Sequence, residues 1–573
     1  MNIFSIFYEN ITNILLQFEH EQNSNFIFTV EVPNNPKNGD LATNAAMIFA
    51  NHTGQSQKRV AESIATELSK SDYVLSSEVA GPGFVNIKLT NSFWQHFLRE
   101  TYLSKKEYGD SKIGKNQEIN IEFVSANPTG PMHVGHARSA IYGDALAKLL
   151  SKCGFKVTRE YYINDAGKQI DTLIHSLFIR YKQELGIDAT LAQNSYPGEY
   201  LIDIAKTLVV LHGNKLLNIV DAERDLILKK FAVDQIMKII CKDMMDLGVI
   251  HDKFTSEKCD ILEKGLVEET LKRLQDADLI YSGVLEAPKS KTSDDWESTE
   301  QTIFRATKFG DDADRPIVRS DGSYTYFALD AAYHLDKLNR GFSNMLLLLG
   351  ADHGGYTKRI KAIVSALSNN EAEIHVIINQ LVNLMKDGKP FKMSKRAGNF
   401  LTVQDILSEL DKDLIRFGML SRKNDTVIDL DFTKMKEQSK DNHIFYIQYA
   451  SARAHSVLLK AKELGITQDI ECANLERLVS EQDMTLIKKI AIFPKVVESA
   501  AKSYEIFRIP YYLYDLATTF HQIWGYGTHN AQFRFIVEND RELTAARLIL
   551  IQTFINTIES GLDIIGIKAV ESM

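Results

Sequence analysis

The stretch Ile119-Asn-Ile-Glu-Phe-Val-Ser-Ala-Asn-Pro-Thr-Gly-Pro-Met-His-Val-Gly-His136 decides how this chain is read. Residues Ile119 to Val124 alternate apolar and polar side chains and are rich in branched ones, which predicts a strand. Pro128, Gly130 and Pro131 forbid regular structure directly after it. Beyond His133, Ala137, Ala140, Ile141, Ala145 and Leu149 recur at helical spacing, and Gly154 marks a stop. The unit is strand, tight loop, helix, with two histidines three residues apart in the first helical turn.

That arrangement has a chemical use. Residues at this spacing share one helix face, so both imidazoles can address one ligand. The first helical turn presents unpaired N–H groups and a partial positive charge, which suits phosphate. Two imidazole donors there match the charge that builds on a phosphoryl group under attack. Gly135 removes a side chain between them and lets a flat base approach the backbone. A surface pair or half a metal site explains two such histidines equally well until a second segment is considered. That segment is Pro390-Phe-Lys-Met-Ser-Lys-Arg-Ala-Gly-Asn399, after an Asp387-Gly388 turn. Lys392, Lys395 and Arg396 put three cations in five residues of a glycine-bearing loop able to fold over a polyphosphate.

Together the two segments resemble the signature motifs of class I aminoacyl-tRNA synthetases, His133-Val-Gly-His136 the first and Lys392-Met-Ser-Lys395 the second. The text around the histidines, Tyr161 to Ile170, Tyr324 to Asp336 and Gly350 to Tyr356 narrow the resemblance to bacterial-type arginyl-tRNA synthetases, over essentially the whole chain. The resemblance implies a multidomain α/β protein with a Rossmann-type parallel-sheet catalytic domain, a helical insertion, a small α+β N-terminal domain and an all-α C-terminal bundle. It implies ATP with Mg2+, L-arginine and tRNA(Arg) as partners, and tRNA needed even for the first step. His133, His136, Lys392 and Lys395 become catalytic candidates, with Pro131, Gly135, Asp352, Met393 and Ser394 at ATP. Glu122, Ser125, Asn127, Tyr326, Asp330 and His353 become candidates for the arginine site. An arginine side chain needs a carboxylate, because its planar guanidinium pairs with one through two parallel hydrogen bonds. Asp330 and Glu122 are the candidate acids. Tyr326 and Asp330 are four residues apart, so on a helix they share a face, although an Asp near a helix start is also a natural cap.

Composition bounds the rest. With 573 residues the chain should hold about three domains, and 44% hydrophobic with 25% charged residues is the balance of an ordinary soluble protein. The net charge of −9 means that an RNA partner would need local basic patches on an acidic body. Cys153, Cys241, Cys259 and Cys472 are far apart with no Cys-x-x-Cys, so neither a structural zinc nor a disulfide framework is expected, and no metal ligand set is assigned. The reducing cytoplasm fits best. The first residues lack a basic region and read as a helix rather than a signal peptide. The apolar run from Met345 to Leu349 is too short for a bilayer and reads as a buried strand, so no membrane role is expected; the chain is expected to act as a monomer.

Three blocks are expected in order. Residues 1 to about 110 form a small α+β module, with a strand expected from Phe26 to Val32, similar to the N-terminal tRNA-binding domain of the family. Phe84 would stack on a splayed base there and Asn86 would bond its edge, unless Phe84 is core and Asn86 a turn. Residues 111 to 400 alternate strand and helix, predicting a parallel sheet with the ligand at the strands' carboxyl ends. A long helical insertion without an evident catalytic cluster is expected between about Ile170 and Glu286. Residues 401 to 573 read as nearly all helical, similar to an anticodon-binding domain, with Tyr446, Tyr449 and Arg453 as candidate RNA contacts. A small-molecule nucleotidylyltransferase is disfavoured by the basic loop and the helical block, and a catalytically lost relative by the intact histidines and lysines. A pocket for an apolar amino acid would not bury the free acid of Asp330.

Overall fold

The computed structural model describes residues 1–17, 26–285, 299–391 and 401–573. Its first elements are α1 (Ile3–Leu16), β1 (Val30–Glu31), β2 (Leu41–Thr43), α2 (Ala45–Thr53), α3 (Gln57–Leu68), β3 (Val74–Ala80), β4 (Phe84–Leu89) and α4 (Asn91–Ser104). The strands form one antiparallel sheet in the order β1-β2-β4-β3. Of the extended run expected over 26–32, only Val30 and Glu31 pair. This module leans on the C-terminal helices: Asp40 meets Lys488 at 2.6 Å, and the Tyr108 hydroxyl donates to the Ile490 carbonyl at 2.8 Å.

The stretch quoted above becomes β5 (Glu118–Glu122), a loop, and α5 (Val134–Lys152). Then follow β6 (Lys156–Ile163), α6 (Lys168–Glu184), α7 (Tyr200–His212), α8 (Asp221–Asp246), β7 (Lys253–Ser256) and a wide helical turn at Glu257–Leu262. After these come α9 (Leu266–Asp276), β8 (Ile280–Gly283), β9 (Gln301–Phe304), β10 (Arg315–Val318), α10 (Tyr326–Asn339), β11 (Asn344–Gly350), α11 (Thr357–Leu367) and β12 (Glu373–Asn379). The central sheet runs β12-β11-β5-β6-β7, and every neighbouring pair is parallel. Strands covered on both faces can be apolar throughout, which is why Met345 to Leu348 are all buried. Helix α5 sits hard on its own strand: a Cβ at Gly143 would come within 2.2 Å of the Phe123 ring.

Contrary to expectation, the segment from Ile170 to Glu286 is not only a helical insertion, because β7 pairs with β6 as the outer strand of the central sheet. A strand of four residues, Lys253 to Ser256, is too short to display a period of two.

The chain continues through β13 (Val382–Lys386), β14 (Lys389–Pro390), α12 (Val403–Glu409), α13 (Lys412–Leu420), β15 (Ile428–Asp431) and α14 (Phe432–Lys436). Strand β15 pairs parallel with β13, so a small sheet joins residues on either side of position 400. Helices α15 (His443–Glu463), α16 (Glu481–Ala491), α17 (Phe493–Ser503), α18 (Arg508–His529) and α19 (Arg541–Ile564) complete the fold.

Candidate active site

In the central sheet the chain progresses outward from β5 to β6 and β7, then returns to the other side of β5 as β11 and β12. The reversal lies between β5 and β11, and open parallel sheets bind ligands at the carboxyl ends beside such a point. Both candidate segments are there: the loop and first turn of α5 follow β5, and Asp352 and His353 follow β11.

His133 is the N-cap of α5, and its Nδ1 accepts the Gly135 N–H at 3.1 Å. The His133 N–H is in turn donated to His136 Nδ1 at 3.3 Å, and the two rings stack with centroids 3.7 Å apart. With Nδ1 accepting in both rings, the neutral tautomer carries its proton on Nε2, so each ring offers an Nε2–H donor. Burial lowers the His133 pKa, against the pull of the Asp352 carboxylate. Burial, with His133 beside it, takes His136 down to about 3. Both rings are therefore neutral donors near pH 7. A Cβ at Gly135 would stand 3.0 Å from His133 Cε1, so a larger residue there would crowd that ring.

Lys392, Met393, Ser394, Lys395 and Arg396 lie outside the described residues. Thr402, just beyond them, bridges to His133, and the Leu401 carbonyl accepts the Val134 N–H at 3.2 Å. Asp352 and His353 are exposed, with His353 Nε2 3.4 Å from Asp352 Oδ2. Pro131 is half-buried in the loop before the histidines, where Asn127 is exposed.

A second cluster lies around the start of α10. Thr325, not Asp330, caps that helix, accepting the Ala328 N–H at 3.3 Å. Asp330 sits one turn in, and Tyr326 is 52% exposed at the helix start. The Asp330 carboxylate accepts the Tyr356 hydroxyl at 2.8 Å. Burial pushes the Asp330 pKa up to about 7; the Tyr356 hydrogen bond and Arg359 oppose this, while Glu122 and Glu257 add to it. Glu122 already has protein partners: Lys337, fully buried, reaches it at 2.6 Å, and Ser125 Oγ donates to it at 3.0 Å. Glu257 is the acid that sequence reasoning missed. It is buried, accepts the Tyr162 hydroxyl at 2.8 Å, and its pKa is raised by burial. It belongs to the turn after β7, a four-residue strand too short to give a local sequence signal. The backbone that presents Ser125 is strained: Val124 and Ser125 have φ of 71° and 39°, a region that branched residues rarely enter.

The tRNA candidates are distributed elsewhere. Phe84 is 40% exposed at the start of β4, while Val85, Ile87 and Leu89 are buried, so Phe84 is not core. Asn86 is half-buried within the same strand, paired with Ala42 and Glu78, and not in a turn. Arg453 lies 4.1 Å from the Tyr449 ring centre and 5.0 Å from that of Trp524, and donates to the Tyr449 hydroxyl at 2.8 Å. Tyr446 packs against His521 with centroids 4.2 Å apart and the rings tilted by 41°.

A parallel sheet with this reversal, an imidazole pair at its helix start and a helical C-terminal block define a class I aminoacyl-tRNA synthetase, and the catalytic-domain model "tRNA synthetases class I (R)" matches residues 98–196. Models of the "Arginyl tRNA synthetase N terminal domain" and the "DALR anticodon binding domain" match residues 5–89 and 447–573. The chain is 47% identical to the arginine--tRNA ligase of Wolbachia sp. subsp. Brugia malayi, over 100% of both chains. It is 45% identical to that of Rickettsia prowazekii, again over 100% of both. The Thermus thermophilus arginyl-tRNA synthetase structure shares the fold with a TM-score of 0.72, at 20% identity over 99% of each chain. The chain belongs to the arginyl-tRNA synthetase family, whose function is to charge tRNA with arginine. Its class I catalytic domain implies the use of ATP.

Proposed function

We propose that the chain activates L-arginine with ATP as arginyl-adenylate and passes the arginyl group to the terminal ribose of tRNA(Arg). The observation that carries this reading is the acidic cluster of Asp330, Glu122 and Glu257, of which Glu122 ends β5, the strand that leads into the histidine loop. Among the described residues, neither Asp330 nor Glu257 has an ion pair like that of Lys337 with Glu122, and Arg359 only partly offsets the charge of Asp330. A bound guanidinium supplies that charge, with Tyr326 packing beside it. Glu122, Ser125, Asn127 and His353 address the rest of the amino acid. The arginine carboxylate attacks the α-phosphate, so no protein nucleophile is needed and the work is positioning and charge stabilisation. His133 and His136 donate Nε2–H to the phosphates, near Pro131, Gly135 and Asp352. Lys392 and Lys395, with Met393 and Ser394, hold the leaving pyrophosphate. Among the described residues no group of three or more His, Cys, Asp or Glu gathers as a cage, so Mg2+ would arrive on the triphosphate, where it neutralises phosphate charge.

Phe84, Asn86, Tyr446, Tyr449 and Arg453 are proposed tRNA contacts, and boundaries near 110 and 400 are proposed for the three functional units, with the β13–β15 pairing tying the last two together. No helix among the described residues is long and apolar enough to cross a membrane. A monomer working in the cytoplasm fits this reading. Pyrophosphate exchange with each standard amino acid, with and without tRNA, tests the whole: exchange with arginine and no other amino acid, and only when tRNA is present, is expected, and exchange with another amino acid overturns it.

A further inference from the structure

Helix α8 reaches into the site from the segment whose role was open. Asp243, in its last turns, is only 1% exposed, and both carboxylate oxygens are engaged. One accepts the Met132 N–H at 3.1 Å, directly before His133. The other accepts Gln404 Nε2 at 2.9 Å, and the second proton of that amide goes to Asp246 at 2.8 Å. The Met132 carbonyl accepts the Val403 N–H at 2.9 Å. Asp243, Met132, Val403 and Gln404 therefore close a ring of contacts between three segments distant in sequence. The Met132 side chain is fully buried, so its peptide is held on every side. The base of the ring is also fixed. Arg416, fully buried, donates to the Leu247 carbonyl at the end of α8 at 3.0 Å and to Asp144 of α5 at 2.5 Å.

We propose that Asp243 is a positioning residue for adenylate formation, setting the His133 backbone and the start of α12 in one geometry. A buried carboxylate whose two oxygens each accept from a different donor is an exacting anchor, because its neutral isostere Asn would turn an NH2 group toward one of them. Its value to the reaction is angular: the imidazole donors must meet the α-phosphate as charge develops, and misplacement by about 1 Å costs about 100-fold. The proposal rests on the synthetase reading above.

The test uses the full chain in arginine-dependent ATP–pyrophosphate exchange with tRNA(Arg) present, alongside arginine affinity by calorimetry. Asp243→Ala is expected to lower turnover about 100-fold, and Asp243→Asn, which keeps one acceptor, about tenfold. Arginine affinity should stay within about twofold in both, because Asp330 and Glu257 bond neither Asp243 nor Gln404. Gln404 is exposed, so Gln404→Met should fold normally, and it should lower turnover about threefold to tenfold, the range of one lost hydrogen bond. Full turnover in Asp243→Ala and Gln404→Met overturns the proposal, as does a loss shared equally between turnover and arginine affinity. If the wild-type chain itself shows no arginine-dependent exchange, it is the synthetase reading that falls.

Discussion

At one end of the site, His133 and His136 are kept neutral by burial, each with Nδ1 committed to a backbone N–H. At the other end, Asp330 and Glu257 are acids held where their charge is uncomfortable. The same physical factor, burial, thus has opposite uses. Near the histidines it removes a positive charge that would otherwise clamp ATP and its products alike, leaving donors that respond to charge as it develops. Near Asp330 it raises the energy of an unpaired carboxylate, so that a cationic substrate gains most by arriving. Glu122 marks the boundary, since Lys337 has already neutralised it and it can serve as a fixed acceptor.

The comparison breaks most visibly at Asp330. Asp330→Ala should cost about 2–5 kcal/mol of arginine recognition, as for losing one partner of a buried ion pair. The arginine KM should carry most of it, and a near-normal KM would remove Asp330 from the pocket. His136→Ala should behave in the opposite sense, lowering turnover by about 100–1000-fold, the loss of one transition-state donor, while arginine KM moves little. If both variants change the same parameter, the two ends are not distinct.

Titration sharpens the contrast. With Asp330 at about 7 in the free protein, part of the population carries the acid protonated at neutral pH. Arginine requires the ionised form, so its KM should rise about tenfold per pH unit as pH falls below 7. The Tyr356 hydroxyl donates to the ionised carboxylate and favours it; Tyr356→Phe should move the profile to higher pH by about one unit. The sign for stability follows. A carboxyl raised in the folded state destabilises that state above its folded pKa and is relieved as pH falls. Arginine should therefore raise the melting temperature more at pH 8 than at pH 6, which differential scanning fluorimetry can measure.

These parts were unequally legible in the sequence. The strand, loop and helix around His133 could be read because each signal is local: alternation, three breakers, a 3.6-residue period and a terminal glycine. The shared face of Tyr326 and Asp330 was readable for the same reason. Glu257 was hidden because a four-residue strand carries no usable period, and its neighbours in space, Tyr162 and Asp330, come from other elements. The Lys337 partner of Glu122 was hidden because a pairing across 215 positions leaves no local trace. Asp243 read as one more acid on a charged helix, and only the fold reveals that both of its oxygens are taken.

The smallest effect is expected where burial plays no part. Phe84 opens β4 with its ring 40% exposed, and the alternation of the strand turns Val85, Ile87 and Leu89 to the core. An exposed aromatic beside the amide of Asn86 can stack a base, but it gains no help from a low-dielectric surround, so Phe84→Ala should weaken tRNA binding by about 1 kcal/mol, the lower end for one base stacked on one ring. Arginine KM should not change, because Phe84 lies in the N-terminal antiparallel sheet and not in the parallel sheet that carries the site. Charging assays at several tRNA concentrations separate the two constants. The loss should persist at high salt, since stacking, unlike phosphate contact, releases no counterions. A loss that disappears with salt would mean that Phe84 only supports nearby cations, and an unchanged tRNA KM would leave it a surface aromatic without a partner.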